Sequence, residues 1–217
     1  LLKALIGYLP PLSGRIFLSG MELTRWQKQE LAKTISLIPQ DFQLQFDYTV
    51  EEIVLMGRFP YLGLWQKYSD EDKKIVGEVL EKLDLTQMKD ELYSQLSGGE
   101  RRRVSIARAL AQQTEILLLD EAFANLDINH QLEIMQILSE INRQAGKLII
   151  LVSHNINLSA EYCQRIVLMK NGKVMADGKP AQIITSQNLE KVYLAKLEII
   201  QNPVSGKPNL IYPGKNA

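Results

Sequence analysis

Cysteine is nearly absent: the 217-residue chain holds one, Cys163, so no internal disulfide can form. A reducing compartment is the expectation, and Cys163 itself reads as packing rather than chemistry. An excess of charge of either sign is missing too, since 25 Lys and Arg balance 25 Asp and Glu. A dedicated nucleic-acid binder would carry a basic excess, so no nucleic-acid partner is expected. No apolar run approaches the roughly 20 residues of a membrane-spanning helix, and no signal peptide, internal repeat or low-complexity tract is visible. What is present is an ordinary globular mixture, 46% hydrophobic and 23% charged. Disorder as the dominant state is excluded, because such chains are poor in aliphatics and carry net charge.

The chain opens with Leu1, Leu2, Leu5 and Ile6 at helical spacing, and Gly7 reads as a stop. It begins inside a helix without an N-cap, so the expectation is a truncated N-terminus. Arg15–Leu18 reads as a short strand, Gln27–Lys33 as a polar helix and Ile35–Ile38 as an apolar strand ended by Pro39. Thr49-Val50-Glu51-Glu52 is a capping box that predicts a helix to about Met56, closed by Gly57. Arg58–Tyr68 reads as an aromatic loop, and Ser69 as the cap of a further helix with acids in its first turn. Helices near Glu100–Ala111 and Asn129–Gln144 alternate with the strands Ile116–Leu119 and Leu148–Val152. A short helix after His154 precedes the strand Arg165–Met169, the turn Asn171-Gly172 and the strand Lys173–Ala176. Strands apolar at every residue are buried on both faces, which means a parallel sheet covered by helices. The tail after Leu197 reads as an interface or a loose end.

Five stretches carry chemistry. Leu96-Ser97-Gly98-Gly99-Glu100 opens an arginine-rich helix. Glycines let backbone N–H groups approach a phosphate, the hydroxyl adds a donor and the helix dipole favours negative charge. A plain N-cap after a flexible turn reads equally from those residues. Ile116-Leu117-Leu118-Leu119-Asp120-Glu121 ends a buried strand in two carboxylates, where α/β proteins place ligands. One can hold Mg²⁺ and the next can deprotonate a water, or both belong to an acidic turn. His154 stands at a third strand end, suited to a terminal phosphate or incidental beside the capping Ser153 and Asn155. Gln40 is a neutral amide after a strand, and Asp127 is a helix cap seven residues past Asp120.

Taken together and in this order, these stretches make the chain resemble the ATP-binding-cassette (ABC) ATPases over essentially its whole length. Gln40 matches the Q-loop, LSGGE the signature, ILLLDE the Walker B strand with its catalytic Glu, Ala124-Asn125-Leu126-Asp127 the D-loop and His154 the switch histidine. Three segments resemble the branch that imports iron-siderophores, haem and cobalamin: Val54–Gly63, Leu126-Asp127-Ile128-Asn129-His130-Gln131, and the tail Asn202–Pro208. The first of these also reads as a helix and aromatic loop that only pack locally.

The resemblance implies an α/β fold, a P-loop NTPase (RecA-like) core with a mostly parallel sheet covered by helices. An inserted helical lobe at about 45–113 and a small antiparallel β part complete a single domain spanning 1–217. It implies an ATPase with ATP and Mg²⁺ as cofactors. Glu121 would be general base and His154 would contact the γ-phosphate. Gln40 and Asp120 would hold Mg²⁺, Ser97, Gly98, Gly99 and Glu100 would face ATP in trans, and Asp127 would tune the interface. The implied partners are a second copy in a head-to-tail homodimer, an integral membrane permease docking on an exposed Phe59, Tyr61, Leu62 patch, and indirectly a substrate-binding protein. The implied place is peripheral, at the cytoplasmic face of the membrane. A soluble ABC ATPase without a permease and a degenerate regulatory cassette are the alternatives.

The chain departs from that pattern. The P-loop G-x-x-x-x-G-K-[ST] does not occur in it, while Leu1–Gly7 looks like the helix that follows the motif. Without that cradle the 217 residues alone are expected not to hydrolyse ATP. Ala122 stands where Pro is usual, Asn155 where Asp is frequent, and Ala124 where a hydroxyl is common.

Overall fold

Three short apolar strands organise the first half of a computed structural model that describes residues 1–40, 42, 44–121, 126–195 and 197–212. The chain divides into two compact units, Leu1–Val152 and Ser153–Ala217. The first unit begins with α1 (Leu2–Leu5), the two-residue hairpin β1 (Phe17–Leu18) and β2 (Met21–Glu22), α2 (Lys28–Thr34) and β3 (Ile35–Ile38). Then come α3 (Val50–Leu55), α4 (Asp70–Lys82), α5 (Gly98–Ala111), β4 (Ile116–Asp120), α6 (Ile128–Ala145) and β5 (Leu148–Val152). The strands pair in the order β3-β4-β5, all parallel, with Ile38 opposite Leu119 and Asp120 opposite Val152. Leu117, Leu118 and Leu119 are all buried, so β4 is covered on both faces, as its unbroken apolar run requires. Leu118 joins Leu2, Leu23, Leu31 and Ile35 in one apolar cluster. Its neighbours Leu117 and Leu119 face the other side by strand alternation.

The expected capping box at Thr49 forms, with Glu52 N–H on the Thr49 hydroxyl and the Glu52 carboxylate on the Thr49 N–H. Gly57 does not end the helix. The chain passes through it into a 3₁₀ turn, Met56–Tyr61, where a loop was expected. A Cβ at Gly57 would lie 2.1 Å from the Arg108 carbonyl oxygen, so this glycine serves a close approach to α5. Arg58 is buried there, with Nε on Asp72 Oδ1 at 2.8 Å and Nη1 on the Ala111 carbonyl at 2.8 Å. Its guanidinium stacks 3.9 Å from the Tyr61 ring centroid, and the Tyr61 hydroxyl donates to the Gln112 carbonyl. Tyr61 and Leu62 are therefore half-buried, which corrects the expected Phe59, Tyr61, Leu62 surface: Phe59, Leu64 and Trp65 are the exposed residues.

The second unit contains α7 (Ile156–Tyr162), the hairpin β6 (Ile166–Lys170) and β7 (Lys173–Gly178), α8 (Pro180–Ile183), α9 (Ser186–Tyr193) and the hairpin β8 (Glu198–Gln201) and β9 (Pro208–Ile211). Asn171 and Gly172 both take positive φ, 50° and 74°, as a tight hairpin with matched twist demands. The tail is ordered structure rather than a loose end: Leu210 from β9 packs with Ala160, Leu168, Ile183, Ile184 and Leu189. Two features escaped the sequence reading here, α8–α9 and the final hairpin.

Arg58 and Asp72 form a buried pair, with side chains 6% and 10% exposed. Removing one partner strands the other in a poor solvent. Arg58→Ala is expected to cost about 3–5 kcal/mol and to lower the melting temperature by on the order of 10 °C, read by thermal unfolding. Replacing both by apolar residues of similar volume should recover most of that loss.

Candidate functional site at the carboxyl edge of the parallel sheet

Parallel pairing sends the ends of β3, β4 and β5 to one edge, and residues that follow β3 and β4 meet there. Gln40, two residues past β3, donates from Nε2 to Glu121 Oε2 at 2.8 Å, directly past the end of β4. They stand 81 positions apart in the chain, and the parallel register of β3 on β4 brings their strand ends together. Glu121 holds φ at 42°, in the left-handed region that a β-carbon disfavours. Such strain persists where the surroundings over-determine it, and it gathers at functional sites. Asp120 is the last residue of β4 and is half-buried. His154 follows Val152 by two residues and opens the second unit. There Asn155 caps α7 by accepting from the Leu158 N–H at 3.0 Å.

Among the described residues no cluster of three or more His, Cys, Asp or Glu could hold a metal by itself. Mg²⁺ takes one or two protein oxygens and fills the rest of its octahedron with phosphate and water. The Asp120 carboxylate and the Gln40 amide oxygen are the hard oxygen donors such an ion accepts.

The signature segment builds a second surface. Ser97 is the N-cap of α5: its hydroxyl accepts from the Glu100 N–H, and Glu100 Oε2 accepts from the Ser97 N–H at 2.8 Å and the Ser97 hydroxyl at 2.6 Å. The hydroxyl expected to face a phosphate is thus engaged with Glu100, and the Glu100 carboxylate turns back on the cap. The Ser97 hydroxyl and N–H hold the Glu100 carboxyl below its ordinary value. Ser-x-x-Glu was visible in the sequence in the same form as Thr49-x-x-Glu52, yet only the latter was read as a capping box. A Cβ on Gly98 would meet Leu126 at 3.9 Å, an ordinary contact, so among the described residues none forbids a side chain there. Gly99 is different, because a Cβ there would collide with the His130 ring at 2.3 Å.

Asp127 caps α6 as expected, accepting from the His130 N–H at 3.0 Å. Of the D-loop, Ala124 and Asn125 lie outside the described residues, as does Ala122. Two residues were missed by sequence reasoning. His130 contacts both Asp127 and Gly99, and Arg102, on α5, donates from Nη1 to the Pro39 carbonyl at 2.8 Å, next to Gln40. Burial pushes the Arg102 pKa down to about 10. The contacts of His130 with Gly99 and of Arg102 with Pro39 leave no signal in the chain, since each joins residues from separate elements, whereas Asp127 and His130 lie three positions apart in one helix start. Burial pushes the Cys163 thiol up, consistent with an inert packing role.

The ABC transporter family profile matches residues 1–124. The chain belongs to the ABC transporter family. A relative, the ferric enterobactin transport ATP-binding protein of Escherichia coli (strain K12), is 35% identical over 217 residues, 100% of this chain and 80% of that protein. A solved structure described as an inward-facing conformation of a putative metal-chelate type ABC transporter superposes with a TM-score of 0.86 at 26% identity, over 99% of this chain and 80% of that one. A second, a dimeric post-hydrolysis state of an ATP-binding cassette bound to ADP and Pi, aligns at 0.69 and 31% identity over 82% of this chain and 78% of that one. Within this ABC cassette the fold class is the P-loop NTPase type, with the parallel sheet accompanied by helices and small antiparallel hairpins.

The Glu100 shift sets a pH dependence. A folded pKa below the unfolded value means the carboxylate stabilises α5 at neutral pH and loses that effect as pH falls through the folded value. Wild type should therefore be more stable than Glu100→Gln at pH 7, and the gap should close below about pH 4 in urea titrations run across pH.

Proposed function

We propose that this chain is the ATP-hydrolysing subunit of an ABC importer that powers uptake of a metal chelate, such as an iron-siderophore, haem or cobalamin, through a membrane permease. The observation that carries the reading is the 2.8 Å hydrogen bond from Gln40 to Glu121 at the carboxyl edge of the sheet. It holds a carboxylate ready for water beside an amide, adjacent to Asp120 on the same strand. Family membership and the siderophore-transport relative support the import branch. On this reading 1–217 belongs to one ABC ATPase domain with a helical lobe at about 45–113.

Glu121 acts as general base, taking a proton from the water that attacks the γ-phosphorus. Its bond to Gln40 orients the carboxylate, and the strained backbone at φ 42° fixes where it is presented. Asp120 and the Gln40 amide oxygen would hold Mg²⁺, which when bound neutralises phosphate charge. His154 contacts the γ-phosphate and steadies the attacking water. Ser97, Gly98, Gly99 and Glu100 of one copy meet the ATP bound by the other. Backbone N–H groups at the start of α5 do the binding, and Ser97 and Glu100 shape that start through their capping box. Asp127 sits at the interface between the copies.

Closing two copies on ATP would move the helical lobes, and the permease would convert that motion into alternating access. Phe59, Leu64 and Trp65, exposed by 71%, 95% and 100%, supply an apolar surface on that lobe suited to a permease helix. No helix among the described residues is long and apolar enough to cross a membrane. On this reading the subunit is held peripherally at the cytoplasmic face by its permease, with a substrate-binding protein acting on the far side.

The test is Glu121→Gln in the full-length subunit assembled with its permease. ATP hydrolysis should fall by about 10²–10⁴-fold while ATP binding persists, and the ATP-bound dimer should accumulate on sizing columns. Turnover at the wild-type rate would overturn the assignment of Glu121.

A further inference from the structure

We propose that His130 is a positioning residue whose imidazole ties Asp127 to the backbone of Gly99, so that the signature segment and the D-loop aspartate are held at one fixed spacing. The proposal rests on the ATPase reading above and deepens it. Both oxygens of Asp127 are taken by this one residue: Oδ1 accepts from the His130 backbone N–H at 3.0 Å, and Oδ2 lies 2.7 Å from Nδ1. A carboxylate accepts only, so the Nδ1 proton is on the imidazole. The plane of the Asp127 carboxylate is set by that clamp. The opposite side of the ring lies against Gly99 so closely that no β-carbon fits between them.

The contact is one rung of a ladder between the first turns of α5 and α6. Gly98 faces Leu126, Gly99 faces His130, and one turn further Arg103 pairs with Glu133 at 3.5 Å. Positions 99 and 103 share a face of α5, and 130 and 133 share a face of α6, so the two helices start side by side. Burial alone does not account for a histidine here, since its side chain is still 37% exposed. An aliphatic residue would cover Gly99 as well but could not hold Asp127. Among the described residues Asp127 hydrogen-bonds the ring, and Glu100 feels it electrostatically. The consequence is that the backbone donors of LSGGE and the aspartate of the D-loop move as one body when two copies close on ATP. Misplacing such groups by an ångström costs far more than the lost contact itself.

The experiment compares His130→Ala, His130→Asn and His130→Phe in the full-length subunit with its permease. Asn keeps a donor near the Nδ1 position, whereas Phe keeps the ring on Gly99 and loses the donor. Three readouts are taken: kcat and KM for ATP, the ATP concentration that dimerises each variant in the Glu121→Gln background, and melting temperature. The expected result is a drop in kcat of about tenfold for Ala with KM little changed, weaker ATP-driven dimerisation, recovery by Asn and none by Phe. Wild-type kcat and dimerisation in the Ala variant would overturn the proposal, and so would recovery by Phe equal to that by Asn. A thermal double-mutant cycle of His130→Ala with Asp127→Ala reads the tie without any turnover. Non-additive losses support it and additive ones overturn it. If the wild-type complex fails to hydrolyse ATP, the ATPase reading falls while this cycle still judges the tie.

Discussion

Everything chemical in this cassette hangs on the parallel pairing of β4 with a strand on each side. Leu117, Leu118 and Leu119 have no polar face to spare, so β4 is stable only where it is flanked by β3 and β5 and roofed above and below. Parallel pairing then leaves no freedom about polarity. All strands end at one edge, and Asp120, Glu121 and Gln40 arrive there whatever the loops between them do. The positive φ at Glu121 is where that constraint is felt: the strand stops, the chain must turn at once, and a residue with a β-carbon takes a conformation that glycine would adopt more cheaply.

α5 is the second organising element, because it touches each part of its unit that a nucleotide cycle would need to couple. Its first turn is closed by the Ser97–Glu100 capping box and braced by His130. One turn on, Arg102 holds the Pro39 carbonyl immediately before Gln40, although Nε and Nη2 of that guanidinium have no hydrogen-bond partner among the described residues. A buried cation with two unspent donors is costly, which marks the link as one the fold retains against its own solvation penalty. Further along, the Arg108 carbonyl forbids any side chain at Gly57, and the Ala111 carbonyl anchors Arg58. The same helix thus presents the signature at one end and secures the Phe59 segment at the other. A rigid rod with both ends committed is a plausible physical means of passing displacement from a nucleotide edge to a docking surface.

Much of this was legible in the residues. Uniformly apolar runs announced the parallel sheet, Thr49-x-x-Glu52 announced a helix start, and Asn171-Gly172 announced a hairpin, because each rests on near-neighbour chemistry. The order of Gln40, LSGGE, Asp120-Glu121, Asp127 and His154 carried the family resemblance. The half-burial of Tyr61 and Leu62 was not legible: aromatic residues in a glycine-containing stretch look exposed until Arg58 is seen stacking on Tyr61 and Gln112 accepting its hydroxyl proton. Nor did the tail declare its packing, since Leu210 meets Leu189 and Ala160 only after two hairpins have formed.

The sequence by itself determined most of the helices and strands of the first unit, that the sheet is parallel, and which side chains carry charge, amide or imidazole at the strand ends. These follow from periodicity, capping and burial, which act over a few residues. Only the tertiary structure decided which of those groups meet. Gln40 reaches Glu121 across 81 residues, Arg102 reaches Pro39 across 63, and His130 closes on Gly99 from another helix. Contacts of that kind depend on sheet register and helix packing, which are set by the whole apolar core at once and leave no mark on the local pattern.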